Sequence, residues 1–121
     1  MSRVLLADPD DALAISIEFL LQRAGHEVVR WNPEVDLIDT VRDEAPDLLL
    51  LAVEQGVRDG LLLCRRVCEE AFAPIVLMLS ASARGNDSER AQAAGAKACL
   101  NKPFPARDLM DCVARLLRES A

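Results

Sequence analysis

The chain has 121 residues, 51% of them hydrophobic and 28% charged, with a formal charge of −6 and a pI near 4.7. That balance describes one globular domain that buries a core without disulfide or metal staples, and it excludes a disordered tail. The acidity argues against a nucleic-acid backbone as partner, and no apolar run approaches the ~18 residues of a membrane span.

The N-terminus, Met1-Ser2-Arg3, passes at once into Val4-Leu5-Leu6-Ala7-Asp8. This is too short and too soon acidic for a signal peptide, so the expected compartment is the cytoplasm. Val4 to Ala7 reads as a first strand. After Asp8-Pro9-Asp10-Asp11, the spacing of Leu13, Ile17, Leu20, Leu21 and Ala24 predicts an amphipathic helix ended by Gly25. Carboxylates suit its N-terminus, where the helix dipole is positive.

Glu27-Val28-Val29-Arg30-Trp31 reads as a second strand, and residues 34–44 as a second helix after the Asn32-Pro33 break. Leu48-Leu49-Leu50-Leu51-Ala52-Val53 is apolar at every position, the mark of a central strand covered on both faces. A loop with Gly56 and Gly60 leads to a third helix carrying Leu63, Cys64, Val67 and Cys68. Ile75-Val76-Leu77-Met78-Leu79, closed by Ser80, is the fourth strand; residues 82–88 open a helix that stops at Gly95. Ala98-Cys99-Leu100 is the fifth strand, and after Asn101-Lys102-Pro103-Phe104-Pro105 a last helix carries Leu109, Cys112, Val113, Leu116 and Leu117.

Alternating strands and helices imply an α/β fold, with a parallel sheet and helices on both faces. In such a sheet ligands gather at the carboxyl ends of the strands. Asp8, Ala52, Ser80 and Lys102 are expected there, with Glu54 just beyond Ala52.

Five segments then carry a resemblance to a known family. They are Val4-Leu5-Leu6-Ala7-Asp8, Pro46-Asp47-Leu48-Leu49-Leu50-Leu51, Asp59-Gly60, Pro74-Ile75-Val76-Leu77-Met78-Leu79-Ser80-Ala81 and Asn101-Lys102-Pro103-Phe104. Together with Gly25-His26-Glu27 and Ala94-Gly95-Ala96, in this order and spacing, they make the chain resemble a receiver domain of two-component response regulators, the single-domain chemotaxis type. The resemblance spans residues 1–121 as one domain. It implies a flavodoxin-like, doubly wound (βα)5 fold with strand order 2-1-3-4-5, and a place in two-component or phosphorelay signalling.

In that family an aspartate ending the third strand accepts a phosphoryl group, and a pair of acids after the first strand holds Mg²⁺. A hydroxyl after the fourth strand and a lysine after the fifth bind the phosphoryl oxygens. Here the acceptor position falls on Ala52, whose methyl group offers no nucleophile. The acid pair falls on Asp8 and Pro9, with Asp10 one residue on. Ser80, Lys102 and Pro103 match their positions, and the aromatic switch position falls on Cys99. By resemblance, Pro103 follows a cis peptide bond.

Asp8 and Lys102 cancel in charge, and Mg²⁺ prefers several carboxylates with phosphate oxygens, so weak or absent Mg²⁺ binding is expected. An ammonium in the crevice must find a partner, and Asp8 is the expected one. The resulting expectation is a pseudo-receiver: a non-enzymatic signalling module that binds other signalling proteins without phosphorylation. Its contact surface would be the face of the fourth helix, fifth strand and fifth helix, toward a partner protein or a second copy. One alternative keeps phosphorylation, with Glu54 as substitute acceptor. Another is a small flavodoxin-fold redox protein or enzyme, against which the acidic turn after the first strand would repel phosphate.

The remaining residues carry plainer expectations. The four cysteines, with no CxxC pair among them, are expected as small buried apolar groups. His26 is expected to face solvent, Trp31 to pack in the core, and one of Leu61, Leu62 and Leu63 to stay exposed, because a helix of period 3.6 cannot bury all three.

Overall fold

The computed structural model describes residues 2–81 and 86–119. The elements, in chain order, are β1 Arg3–Ala7, α1 Asp11–Arg23, β2 Glu27–Arg30, α2 Leu37–Glu44, β3 Leu48–Ala52, β4 Glu54–Gln55, β5 Arg58–Asp59, α3 Gly60–Cys68, β6 Ile75–Ser80, α4 Asp87–Ala93, β7 Ala98–Asn101 and α5 Ala106–Glu119. One parallel five-stranded sheet has the order β2-β1-β3-β6-β7; β4 and β5 form a separate antiparallel pair. With that hairpin left out of the count, this is the expected 2-1-3-4-5 order.

Strand alternation divides the core. Leu5, Leu49, Leu51, Val76 and Met78 point to the side covered by α2, α3 and α4. Val4, Leu6, Leu48, Leu50, Leu77 and Leu79 point to the side covered by α1 and α5. Every residue of β3 is buried, as its unbroken apolar run requires. Each fully buried leucine is stabilised by about 2 kcal/mol relative to exposure.

Aspartates start three helices. Asp10, Asp36 and Asp59 accept hydrogen bonds from the backbone N–H of Leu13, Asp39 and Leu61 at 3.1, 3.1 and 2.9 Å. Gly25, at φ 93°, turns the chain out of α1 into β2.

The second helix starts three residues later than its periodicity suggests. Asn32 accepts from Glu34 N–H through its side chain at 3.0 Å and from Val35 N–H through its carbonyl at 2.9 Å. The Trp31 indole donates to the Val35 carbonyl at 2.8 Å. These bonds hold a turn where helix was expected, and Asp36 then caps the true start. Part of the polar stretch expected to open the fourth helix, residues 82–85, lies outside the described residues; α4 is defined from Asp87. No helix among the described residues is long and apolar enough to cross a membrane.

Trp31 is buried, and Leu62 is the exposed member of its triplet, at 51%. His26 departs from expectation: it is half-buried, and its Nδ1 has no hydrogen-bond partner among the described residues. The turn after Gly25 folds it back over the end of α1, where His26 N–H donates to the Leu21 carbonyl at 3.0 Å. The cysteines also divide: Cys64 and Cys112 are buried, whereas Cys68 and Cys99 are only half-buried, each lying at or near the end of its element.

Candidate functional site

The carboxyl ends of β1, β3, β6 and β7 form one edge, and the polar residues expected there occupy it. Asp8 leaves β1 with its side chain fully buried. Its Oδ1 accepts from the Asp10 N–H at 2.9 Å, and Lys102 Nζ lies 2.8 Å from its Oδ2. No other donor reaches that oxygen among the described residues. The ammonium itself is largely withdrawn from solvent, its side chain 17% exposed. Two buried opposite charges at this distance satisfy each other where either alone would be costly.

The backbone aims Lys102 at Asp8. Its N–H donates to the Ser80 carbonyl at 2.7 Å, continuing the β6–β7 ladder, and the Lys102–Pro103 peptide bond is cis. By the alternation along their strands, Asp8, Ala52 and Lys102 belong to the side of α1 and α5. Ser80 and Cys99 belong to the other side.

Ala52 is wholly buried at the end of β3. Gln55 closes over this strand end: its Nε2 donates to the Ala7 carbonyl at 2.7 Å and to the Ala52 carbonyl at 3.0 Å. Nothing in the sequence periodicity pointed to Gln55. The only signal was an amide three residues beyond Ala52, a length that lets the side chain reach back to the strand ends. A cleft of 410 Å³ opens beside it, bounded by Asp8, Pro9, Arg30, Trp31, Gln55 and Arg58. A second, of 460 Å³, is bounded by Asp10, Ala81, Lys102, Pro103 and Phe104. Asp8 lines one and Lys102 the other, so the ion pair stands between them, and Ala52 lines neither.

Ser80 is fully buried and its Oγ donates to Asp87 Oδ2. Asp87, a buried carboxylate in the first turn of α4, also lies 3.5 Å from Arg90. Sequence reading missed Asp87 because an acid opening a helix looks like an ordinary dipole partner. Glu54, beyond Ala52, is exposed on β4 and its Oε1 accepts from the Ala81 N–H at 3.0 Å. Burial pushes the Cys99 thiol up from its ordinary range, and the negative charges of Asp87 and Glu54 add to this. Pro9 brings no donor side chain, and Asp10 uses its Oδ1 to cap α1.

Among the described residues no three His, Cys, Asp or Glu side chains are grouped so that they could hold a metal ion. One Asp8 oxygen holds an N–H and the other an ammonium; the Ala7 and Ala52 carbonyls hold the Gln55 amide. Mg²⁺ demands near-octahedral oxygen coordination, and this donor set does not fit it.

The profile of the family described as "Response regulator receiver domain" matches residues 4–114. A candidate response regulator from Chloroflexus aurantiacus is 31% identical, with a TM-score of 0.88 over 97% of this chain and 98% of that one. The Vibrio cholerae chemotaxis protein CheY4 shares the fold at 23% identity and TM-score 0.86, over 96% of this chain and 98% of its own. NtrX from Brucella abortus shares it at 24% identity and TM-score 0.83, over 98% of this chain but only 26% of its own.

Proposed function

Because this chain belongs to the response regulator receiver domain family, and so to two-component signalling, we propose that it signals by binding other proteins in a single, phosphorylation-independent state. The observation that carries this reading is the 2.8 Å Asp8–Lys102 ion pair beside a strand end that presents the methyl group of Ala52. An acyl phosphate needs a carboxylate nucleophile, and position 52 has none. A conformational switch needs a ligand that binds two states differently, and no such covalent ligand can form there. Ser80 supports the same reading, since its hydroxyl is held by Asp87.

In this reading Asp8, Ser80, Lys102 and Pro103 are remnants of a phosphoryl site, Pro9 is the lost second acid, and Cys99 stands where a switching ring would be. The module acts by contact rather than catalysis. Its proposed contact surface is the face of α4, β7 and α5, toward a signalling protein or a second copy.

The test is incubation with a small-molecule phosphodonor and Mg²⁺, followed by intact-mass measurement. No adduct is expected. A stable gain of about 80 Da, one phosphoryl group, overturns the proposal. Peptide mapping of such an adduct to Glu54 would instead establish a substitute acceptor.

A further inference from the structure

Helix α3 ends in a pair of thiols that the signalling site does not use. Cys64 and Cys68 stand one turn apart on the same face, with their sulfurs 4.0 Å apart. Cys64 is buried, and its thiol also lies 3.7 Å from the Ala94 carbonyl at the end of α4. Cys68 is half-buried and is the last residue of α3. It packs against the α4–β7 turn so closely that a Cβ on Gly95 would lie 2.7 Å from its own Cβ.

We propose that Cys64 and Cys68 form a peroxide-sensitive dithiol, in which Cys68 is the attacking sulfur and Cys64 the resolving one. The Cys68 thiolate attacks one peroxide oxygen, the O–O bond breaks, and the departing hydroxide takes a proton to become water. The Cys64 sulfur then attacks the Cys68 sulfenic acid, and the second water leaves with the Cys64 proton. The two thiols are oxidised to one disulfide, and one peroxide is reduced to two waters.

Three observations assign these roles. Cys68 is half-buried where Cys64 is buried, so it is the sulfur that peroxide reaches, and its contact with Cys64 and the Lys97 charge hold it below the ordinary cysteine range, at about 7. Burial pushes the Cys99 and Cys112 thiols up, so they hold less thiolate. Finally, the sulfurs must close by about 2 Å to bond, a movement that the terminal residue of a helix makes by unwinding its last turn. Leaving its place on Gly95, Cys68 would loosen the turn that leads into β7. This chemistry does not depend on what stands at position 52.

The reduced full chain is treated with a small excess of hydrogen peroxide, quenched, and digested with trypsin. Arg65 and Arg66 lie between the two cysteines, so a cross-linked peptide pair forms only through the disulfide. Two of the four thiols should be lost, the linked pair should weigh about 2 Da less than its separate peptides, and Cys99 and Cys112 should remain free. In Cys64→Ser, Cys68 should stop at a trappable sulfenic acid; in Cys68→Ser, Cys64 should stay reduced at the same dose. Oxidation beginning at Cys99 or Cys112, or Cys68 advancing to sulfinic acid in the unaltered chain without a linked peptide, overturns the proposal.

Discussion

Lys102 and Asp8 both lose most of their water on folding, and each compensates the other. Removing one charge strands its partner, which is the costly direction for a buried pair; replacing both with apolar groups of similar volume is often neutral or better. Lys102→Met is therefore expected to destabilise the protein by about 3 kcal/mol, and Asp8→Leu/Lys102→Met by much less. Urea unfolding of the two variants checks this, and equal losses would mean that the pair contributes through packing alone. The residues of this pocket differed in how readable they were. Asp8, Ala52, Ser80 and Lys102 each end an apolar run, so strand counting locates them. Gln55 and Asp87 take their roles from partners brought close only by folding, Ala7 and Ala52 for one and Ser80 for the other.

Among elements, the β4–β5 hairpin joins α3 at Gly60, which has the closest neighbours of the described glycines. Gly60 N–H donates to the Val53 carbonyl at 2.9 Å, and a Cβ on Gly60 would lie 2.2 Å from the Ala52 carbonyl oxygen and 2.5 Å from that of Val53. Both neighbours are backbone and cannot rotate away. Gly60→Ala is expected to cost about 3 kcal/mol, read as a lowered thermal midpoint, whereas Gly56→Ala meets only its backbone strain at φ 67°. A Gly60→Ala protein as stable as the parent would show that the hairpin shifts freely. The sheet strands and α1, α3 and α5 were legible because burial imposes their periods. The hairpin was not, since two-residue strands carry no period, and α2 was misplaced because Asn32 diverts the N–H groups that a helix start would expose.

At the scale of the whole molecule, two cores share one sheet, and the carboxyl edge is where both faces meet. On the proposed reading, phosphorylation there requires more than an acceptor at position 52. Ala52→Asp adds a buried acid beside a lysine already paired, and is expected to destabilise by about 2 kcal/mol with little phosphoryl uptake. Pro9→Asp/Ala52→Asp also returns the second acid, and is expected to gain Mg²⁺ binding and phosphoryl uptake together. Mg²⁺ titration with intact-mass analysis of both variants decides this, and equal uptake by the single variant would show that Pro9 is immaterial. The Gln55 bridge across the β1 and β3 ends adds a consequence of its own. A carboxylate introduced at position 52 would stand beside that amide, so changes at positions 52 and 55 are expected to be non-additive. Taken in either order, the two changes pass through single variants of different stability, because in one the Ala7 and Ala52 carbonyls lose their amide partner and in the other the amide meets a new charge.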